Sequence, residues 1–275
     1  MAITNKLKII VTLSVLLFIP LFAYIYLFAQ QTRRYKKLEQ AQKEMLTAYG
    51  DNLKLKTYRS EDLPDFKERV ASITTFLPES TFLELRDIIV EKIKTERSYL
   101  PGHKKGGTVS YEALHHNAPK IIAFYHSPQL RALLSHIVGE QVVPTPIHDQ
   151  SSCSLLYYDK PGDHIGWHYD HNFYNGRHFT VLIPIVNEHL ATKALSSTKL
   201  FVKKNGAEEM IPTPPNTLVV FEGAKTLHKV TPLGPDEQRI LLSMTFSTTP
   251  RASLHKEVAR RCKDTAFFGV RALWS

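Results

Sequence analysis

The stretch 162–170, GDHIGWHYD, sets a histidine and an aspartate two positions apart, His168 and Asp170. On a strand, residues i and i+2 share a face, so both side chains can reach one ion. A third donor has to come from elsewhere in the chain. His228, in the run LHKVTPLGPDEQR at 227–239, is the candidate, sixty positions after His168. No other feature constrains the fold as much, because two distant strands must lie side by side with three donors converging. Two neutral imidazoles and one carboxylate cover one face of an octahedron and leave positions open, a donor set suited to Fe(II). Most of the 13 histidines must be ordinary packed or surface residues. His164 and His171 lie closest to the motif, and His171 points away from the face that His168 and Asp170 share.

The surrounding texture supports such a fold. From Val142 onward, short β-rich runs alternate with turn residues. The pattern predicts strands at 152–158, 178–186, 199–202, 217–221, 228–231 and 240–248, punctuated by PTPP (212–215) and PLGP (232–235). Helices come first. Phe82, Leu85, Ile88, Ile89 and Ile93 recur at helical spacing after Ser80, read as an N-cap. A second helix spans 127–139, with Pro128 at its first position and Gly139 ending it. Residues 251–262 read as a closing helix with Leu254 and Val258 on one face, and 100–110, LPGHKKGGTVS, as a loop. Strands that follow helices without βαβ alternation imply an α+β domain whose core is an antiparallel sandwich.

The N-terminal segment differs. Residues 9–29, IIVTLSVLLFIPLFAYIYLFA, carry no charge and are long enough for a membrane helix. The bulky Leu27 in Leu27-Phe28-Ala29 argues against a cleaved leader. Lys6 and Lys8 precede the run, whereas Arg33, Arg34, Lys36 and Lys37 follow it, so the charge bias puts the body of the chain in the cytosol. The expected organisation is a tail (1–8), a transmembrane anchor (9–29), a juxtamembrane helix and linker (30–59) and one domain (60–275). Two cysteines cannot form a disulfide framework, and no CxxC is present. A net charge of +9 suits an anionic partner such as a membrane surface or an acidic cosubstrate. The basic residues are scattered, which disfavours a nucleic-acid face.

With SLLYYDKPGDHIGWHYD, RHFTVLIPI and LVVFEGAKTLHKVTPLGPDEQRILLSMTF in order, the last two-thirds of the chain resembles the Fe(II)- and 2-oxoglutarate-dependent dioxygenases, in particular the prolyl-4-hydroxylase-like branch. The resemblance implies a double-stranded β-helix (jelly roll, cupin-like) with flanking helices. It implies Fe(II) on His168, Asp170 and His228, with 2-oxoglutarate and O2 consumed and ascorbate as an accessory reductant. Arg239, eleven positions after His228, stands where the family grips the distal carboxylate of 2-oxoglutarate, a task suited to a fixed guanidinium. A tyrosine on the preceding strand shares that carboxylate. Register decides between Tyr157 and Tyr158, and Tyr158 is favoured; Thr180 is a weaker candidate.

Some features narrow the branch. Leu241 stands where some branches have a serine, and Thr245 where the DNA-dealkylating branch has a second arginine. The presence of Asp170 disfavours the halide-binding variant, which lacks that carboxylate. The leading expectation is a membrane-anchored hydroxylase acting on a lipid, small metabolite or membrane-proximal substrate. A peptidyl-proline hydroxylase is the alternative within the family, and a catalytically silent membrane-tethered binding module the alternative outside it.

Overall fold

The computed structural model describes residues 39–49, 54–66, 68–92, 96–100 and 104–269, with short helical pieces between 18 and 37. The chain forms two compact units, Met1–Ala41 and Gln42–Ser275. Among the described residues no helix is long and apolar enough to cross a membrane, and most of the expected span at 9–29 lies outside them. The described part of that span is helical, and Phe18, Ile19, Leu21, Phe22, Ile25 and Tyr26 are all exposed there.

Among its described residues the larger unit has twelve strands. They are β1 (Val70–Ile73), β2 (Glu96–Leu100), β3 (Lys104–Val109), β4 (Val143–Pro144), β5 (Cys153–Tyr158), β6 (His164–His168), β7 (His178–His189), β8 (Leu200–Lys204), β9 (Ala207–Ile211), β10 (Leu218–Phe221), β11 (His228–Val230) and β12 (Glu237–Ser247). The order is β1-β10-β7-β12-β5-β3-β6-β11-β8-β9, with β2 paired to β3 and β4 to β12. Every pairing is antiparallel.

This ribbon is rolled on itself. One apolar cluster takes Tyr158, Leu182, Val219, Phe221 and Leu241 from one half, and Leu200, Val202, Ile211 and Val230 from the other. The two halves therefore face each other across a common core, as in a jelly roll. Strands β7 and β12 are buried along nearly their whole length. Such continuous burial requires cover on both faces, and helices supply the outer layer. Helix α1 (Glu79–Lys92) packs on β7, and α2 (Tyr111–Asn117) on β5. Helices α3 (Pro119–Tyr125) and α4 (Pro128–Val138) follow, and α5 (Leu254–Phe268) closes the chain.

Local chemistry sets several boundaries as expected. The Ser127 hydroxyl accepts from Leu130 N at 3.2 Å, Pro128 opens α4, and Gly139 ends it at φ 74°. Ser80 instead lies inside the first turn of α1, and Val258 is 53% exposed rather than core-facing. The largest difference is at 100–110, where β3 replaces the expected loop. A Cβ on Gly106 would lie 2.8 Å from the Tyr157 carbonyl oxygen and 3.7 Å from the Tyr158 ring. Glycine here marks a strand pressed against its neighbour, and pairing with β5 and β6 overrides the loop-like composition.

Candidate metal and cosubstrate site

Strands β6 and β11 pair with His168 opposite His228, which brings the two rings to a centroid separation of 4.1 Å. Each ring is oriented by its own backbone. His168 Nδ1–H donates to Gly166 O and His228 Nδ1–H to Thr226 O, both at 2.8 Å. With the proton held on Nδ1, each Nε2 presents a lone pair, as a metal-binding imidazole requires. Burial pushes the His228 pKa down, which favours the neutral ring.

Asp170 lies just beyond the end of β6 rather than on the strand, and its N–H donates to Gly223 O at 3.0 Å. The turn aims the carboxylate back between the rings. Asp170 Oδ1 is 3.6 Å from both His168 Nε2 and His228 Nε2. The three side chains offer donor atoms that all lie within 4.8 Å of one another. Thr180 donates to Asp170 Oδ2, so its hydroxyl steadies a carboxylate of the protein itself. Burial opposes ionisation of Asp170, but His228, His168 and Thr180 together hold its carboxyl well below the usual range. His171 stacks on Phe173 at 5.7 Å and is not among the converging donors.

These residues line a cavity of about 220 Å³. Most ligand clefts are larger, roughly 300–1,000 Å³, so this one suits a small dicarboxylate with a compact partner. Leu156, Ile165, Leu182, Leu200, Val230 and Leu241 form its apolar walls, and Tyr158 completes them. Tyr157 faces the other way and donates to Ile89 O at 3.4 Å. Behind Tyr158, on the paired position of β12, sits Arg239, fully buried, with Cζ 5.8 Å from the Tyr158 ring. Arg239 is not itself part of the cavity wall; its guanidinium lies beside the Tyr158 ring, which is. Its Nη2 donates to Thr213 Oγ1 at 3.4 Å, while Nε, Nη1 and the Tyr158 hydroxyl have no partner among the described residues. Burial lowers the Arg239 pKa to about 10, which still leaves it charged. Unpaired buried donors on a cation are costly, and a carboxylate bound between Arg239 and Tyr158 would satisfy them.

Some residues that shape the site gave no signal in the sequence. A Cβ on Gly223 would lie 2.2 Å from Asp170 Oδ2, so only glycine leaves room for that carboxylate. A glycine two positions after the β10 run and five positions before His228 was the available clue. From α5, Lys263, Phe267 and Phe268 complete the cavity. A buried network fastens this helix. Lys263 Nζ lies 3.1 Å from Asp149 Oδ1, Tyr174 OH donates to Asp149 Oδ2 at 2.7 Å, and Arg260 donates to His148 O at 2.7 Å and pairs with Asp264 and Glu257.

Comparison with known proteins agrees with this geometry. A family model described as HalD, Halogenase D, matches residues 65–188, a span that includes His168 and Asp170 but stops short of His228 and Arg239. No curated protein matches in sequence. A solved oxidoreductase of the 2OG-Fe(II) oxygenase family from Burkholderia pseudomallei aligns with a TM-score of 0.57 at 12% identity, covering 73% of this chain and 97% of that one. The non-heme alpha ketoglutarate dependent epimerase SnoN from nogalamycin biosynthesis aligns at 0.52 and 11% identity, covering 66% and 77%. A prolyl hydroxylase from Trichoplax adhaerens, solved with a hypoxia inducible factor peptide, aligns at 0.50 and 14% identity, covering 77% and 91%. The fold is that of the 2-oxoglutarate- and Fe(II)-dependent oxygenases.

Proposed function

We propose that the domain at 60–275 is an Fe(II)- and 2-oxoglutarate-dependent dioxygenase that hydroxylates a C–H bond of a small substrate. One observation carries the reading: a convergent His-Asp-His set shares a cavity with Tyr158, and the paired Arg239 keeps two buried guanidinium nitrogens unmet among the described residues. His168 Nε2, Asp170 and His228 Nε2 would hold the metal, and the Gly166 and Thr226 carbonyls keep both rings in the required tautomer. Arg239 and the Tyr158 hydroxyl would bind the distal carboxylate of 2-oxoglutarate, and Leu200, Val230 and Leu241 would pack its methylenes and exclude water. When bound, Fe(II) supplies the oxidising chemistry in which 2-oxoglutarate and O2 become succinate and CO2, with one oxygen atom entering the substrate C–H bond.

Asp170, and Gly223 that makes room for it, favour hydroxylation over halogenation, because the halide-binding variant of the family lacks this carboxylate. The small cavity beneath Phe267 and Phe268 favours a compact metabolite over an extended peptide. We place a membrane anchor at 9–29, followed by a linker to residue 59, on the uncharged run and on the apolar side chains exposed around its described helical part. The charge bias then sets the domain in the cytosol. Full-length protein should remain with membranes through carbonate washing, and a chain starting at residue 30 should not.

Anaerobic addition of Fe(II) and 2-oxoglutarate should give a weak visible charge-transfer band that His168→Ala abolishes. Absence of the band in the intact protein would overturn the oxygenase reading.

A further inference from the structure

Strand β3 carries a second cation to the cavity. Lys104, Gly106 and Thr108 alternate onto one face of the strand; Lys104 and Thr108 line the cavity, and Gly106 packs under the Tyr158 ring. Lys104 is only 3% exposed. Among the described residues no carboxylate pairs with its ammonium and no acceptor receives a hydrogen bond from it. Its ammonium lies over the Phe267 ring, 4.9 Å from Nζ to the centroid. The neighbouring Lys263 is already satisfied by Asp149, Asp264 and Ser151. Among the described residues of the cavity wall, Lys104 is therefore the unmatched positive charge. Burial, reinforced by Lys263, pulls its pKa down to about 7.

The two cationic side chains have different neighbours. Arg239 is coupled to Tyr158 across β12 and β5, whereas Lys104 meets α5 at Phe267. A cosubstrate held by Arg239 leaves Lys104 facing the space beneath α5. An unmatched buried ammonium beside an aromatic wall is a receptor for an oxyanion on an otherwise apolar molecule. We propose that Lys104 binds a carboxylate or phosphate group of the primary substrate and so orients its C–H bond toward His168, Asp170 and His228. This inference deepens the oxygenase reading and rests on it for the reaction, though not for the binding.

Calorimetry on the full chain in detergent tests it, with and without saturating 2-oxoglutarate. The probes are benzoate, phenyl phosphate and neutral benzamide. The chain should bind one or both anionic probes in the presence of 2-oxoglutarate, and the better binder identifies the oxyanion. Lys104→Met should weaken that binding by about tenfold or more, while 2-oxoglutarate affinity stays within about twofold. Lys104→Arg should restore most of the anion affinity, and benzamide should not distinguish the variants. Equal binding of the anions to Lys104→Met, no anion binding by the unaltered chain, or a loss of 2-oxoglutarate instead would each overturn the proposal. Anion binding through Lys104 in a chain that fails to bind 2-oxoglutarate would keep the subsite and discard the oxygenase.

Discussion

Tyr158 and Arg239 occupy paired positions on β5 and β12, with the guanidinium carbon 5.8 Å from the phenol ring and buried polar atoms on both side chains left without partners. A fold that desolvates a hydroxyl and a guanidinium together, and matches neither fully, is preorganised for a ligand that supplies two acceptor oxygens.

The first prediction follows from that pair. Arg239→Ala should retain Fe(II) binding yet weaken 2-oxoglutarate by about a hundredfold, the scale of a lost buried charge-assisted contact of roughly 3 kcal/mol. Tyr158→Phe should weaken it by about tenfold. Titrating the charge-transfer band measures both. Unchanged 2-oxoglutarate affinity in Arg239→Ala would mean that another residue holds the distal carboxylate.

Gly223 gives a second prediction. Alanine there would place a methyl group against Asp170 Oδ2 and Cγ, at 2.2 Å and 2.8 Å in the unrelaxed structure. The Asp170 carboxylate must swing away from the two imidazoles, and Fe(II) affinity should fall by about 10–100-fold, as for other changes that misorient a ligand. Arg239 is untouched, so its buried donors remain for a carboxylate. An Fe(II) titration followed by calorimetry decides it; native affinity in Gly223→Ala would refute the crowding argument.

The three converging side chains were legible in the sequence because their chemistry depends on residue type and spacing. His168, Asp170 and His228 need little more than the order in which they occur. The strand pattern from Val142 was also legible, since alternation and turn residues are local signals. What escaped depends on long-range packing. β3 reads as a glycine- and lysine-rich loop until β2 is paired along one of its edges and β5 and β6 along the other. Gly223 is an ordinary turn glycine until Asp170 folds back over it. Lys104, Asp149 and Lys263 lie far apart in sequence and share a site only because β3 and α5 border the same cavity. Thr180 was found by its strand, but its partner is Asp170.

The network under α5 gives a third prediction. Asp149 is 3% exposed, and although burial works against its charge, Lys263 and Arg260 hold its carboxyl well below the usual range. The unfolded chain therefore binds a proton at higher pH than the fold does. This contribution is complete above the unfolded carboxylate value of about 4 and is lost as pH falls below it. Asp149→Asn breaks a buried ion pair and should cost about 3–5 kcal/mol. Hydrogen exchange should rise across Leu254–Phe268 in that variant at neutral pH. Protection of that helix at the native level would show that its docking does not depend on Asp149.

Lys104 carries the last prediction, one that needs no ligand. Its pKa lies near 7 in the fold, lowered first by burial and then by Lys263, against roughly 10 in an unfolded chain. Between those values the unfolded chain holds the extra proton, so unfolding is favoured most at the acid end and stability rises with pH. Cys153 and Tyr157, both pushed up by burial, act in the opposite direction at higher pH, so the informative window is about 7 to 8.5. Subtracting Lys104→Met removes the terms common to both chains, including the Asp149, Asp264 and Lys263 cluster to first order. The variant should hold its largest advantage at pH 7, narrowing by up to about 1.4 kcal/mol per pH unit as pH rises. Denaturant midpoints across the window measure the gap. A gap that stays constant with pH would mean that Lys104 is protonated in the fold throughout, held by a partner of its own.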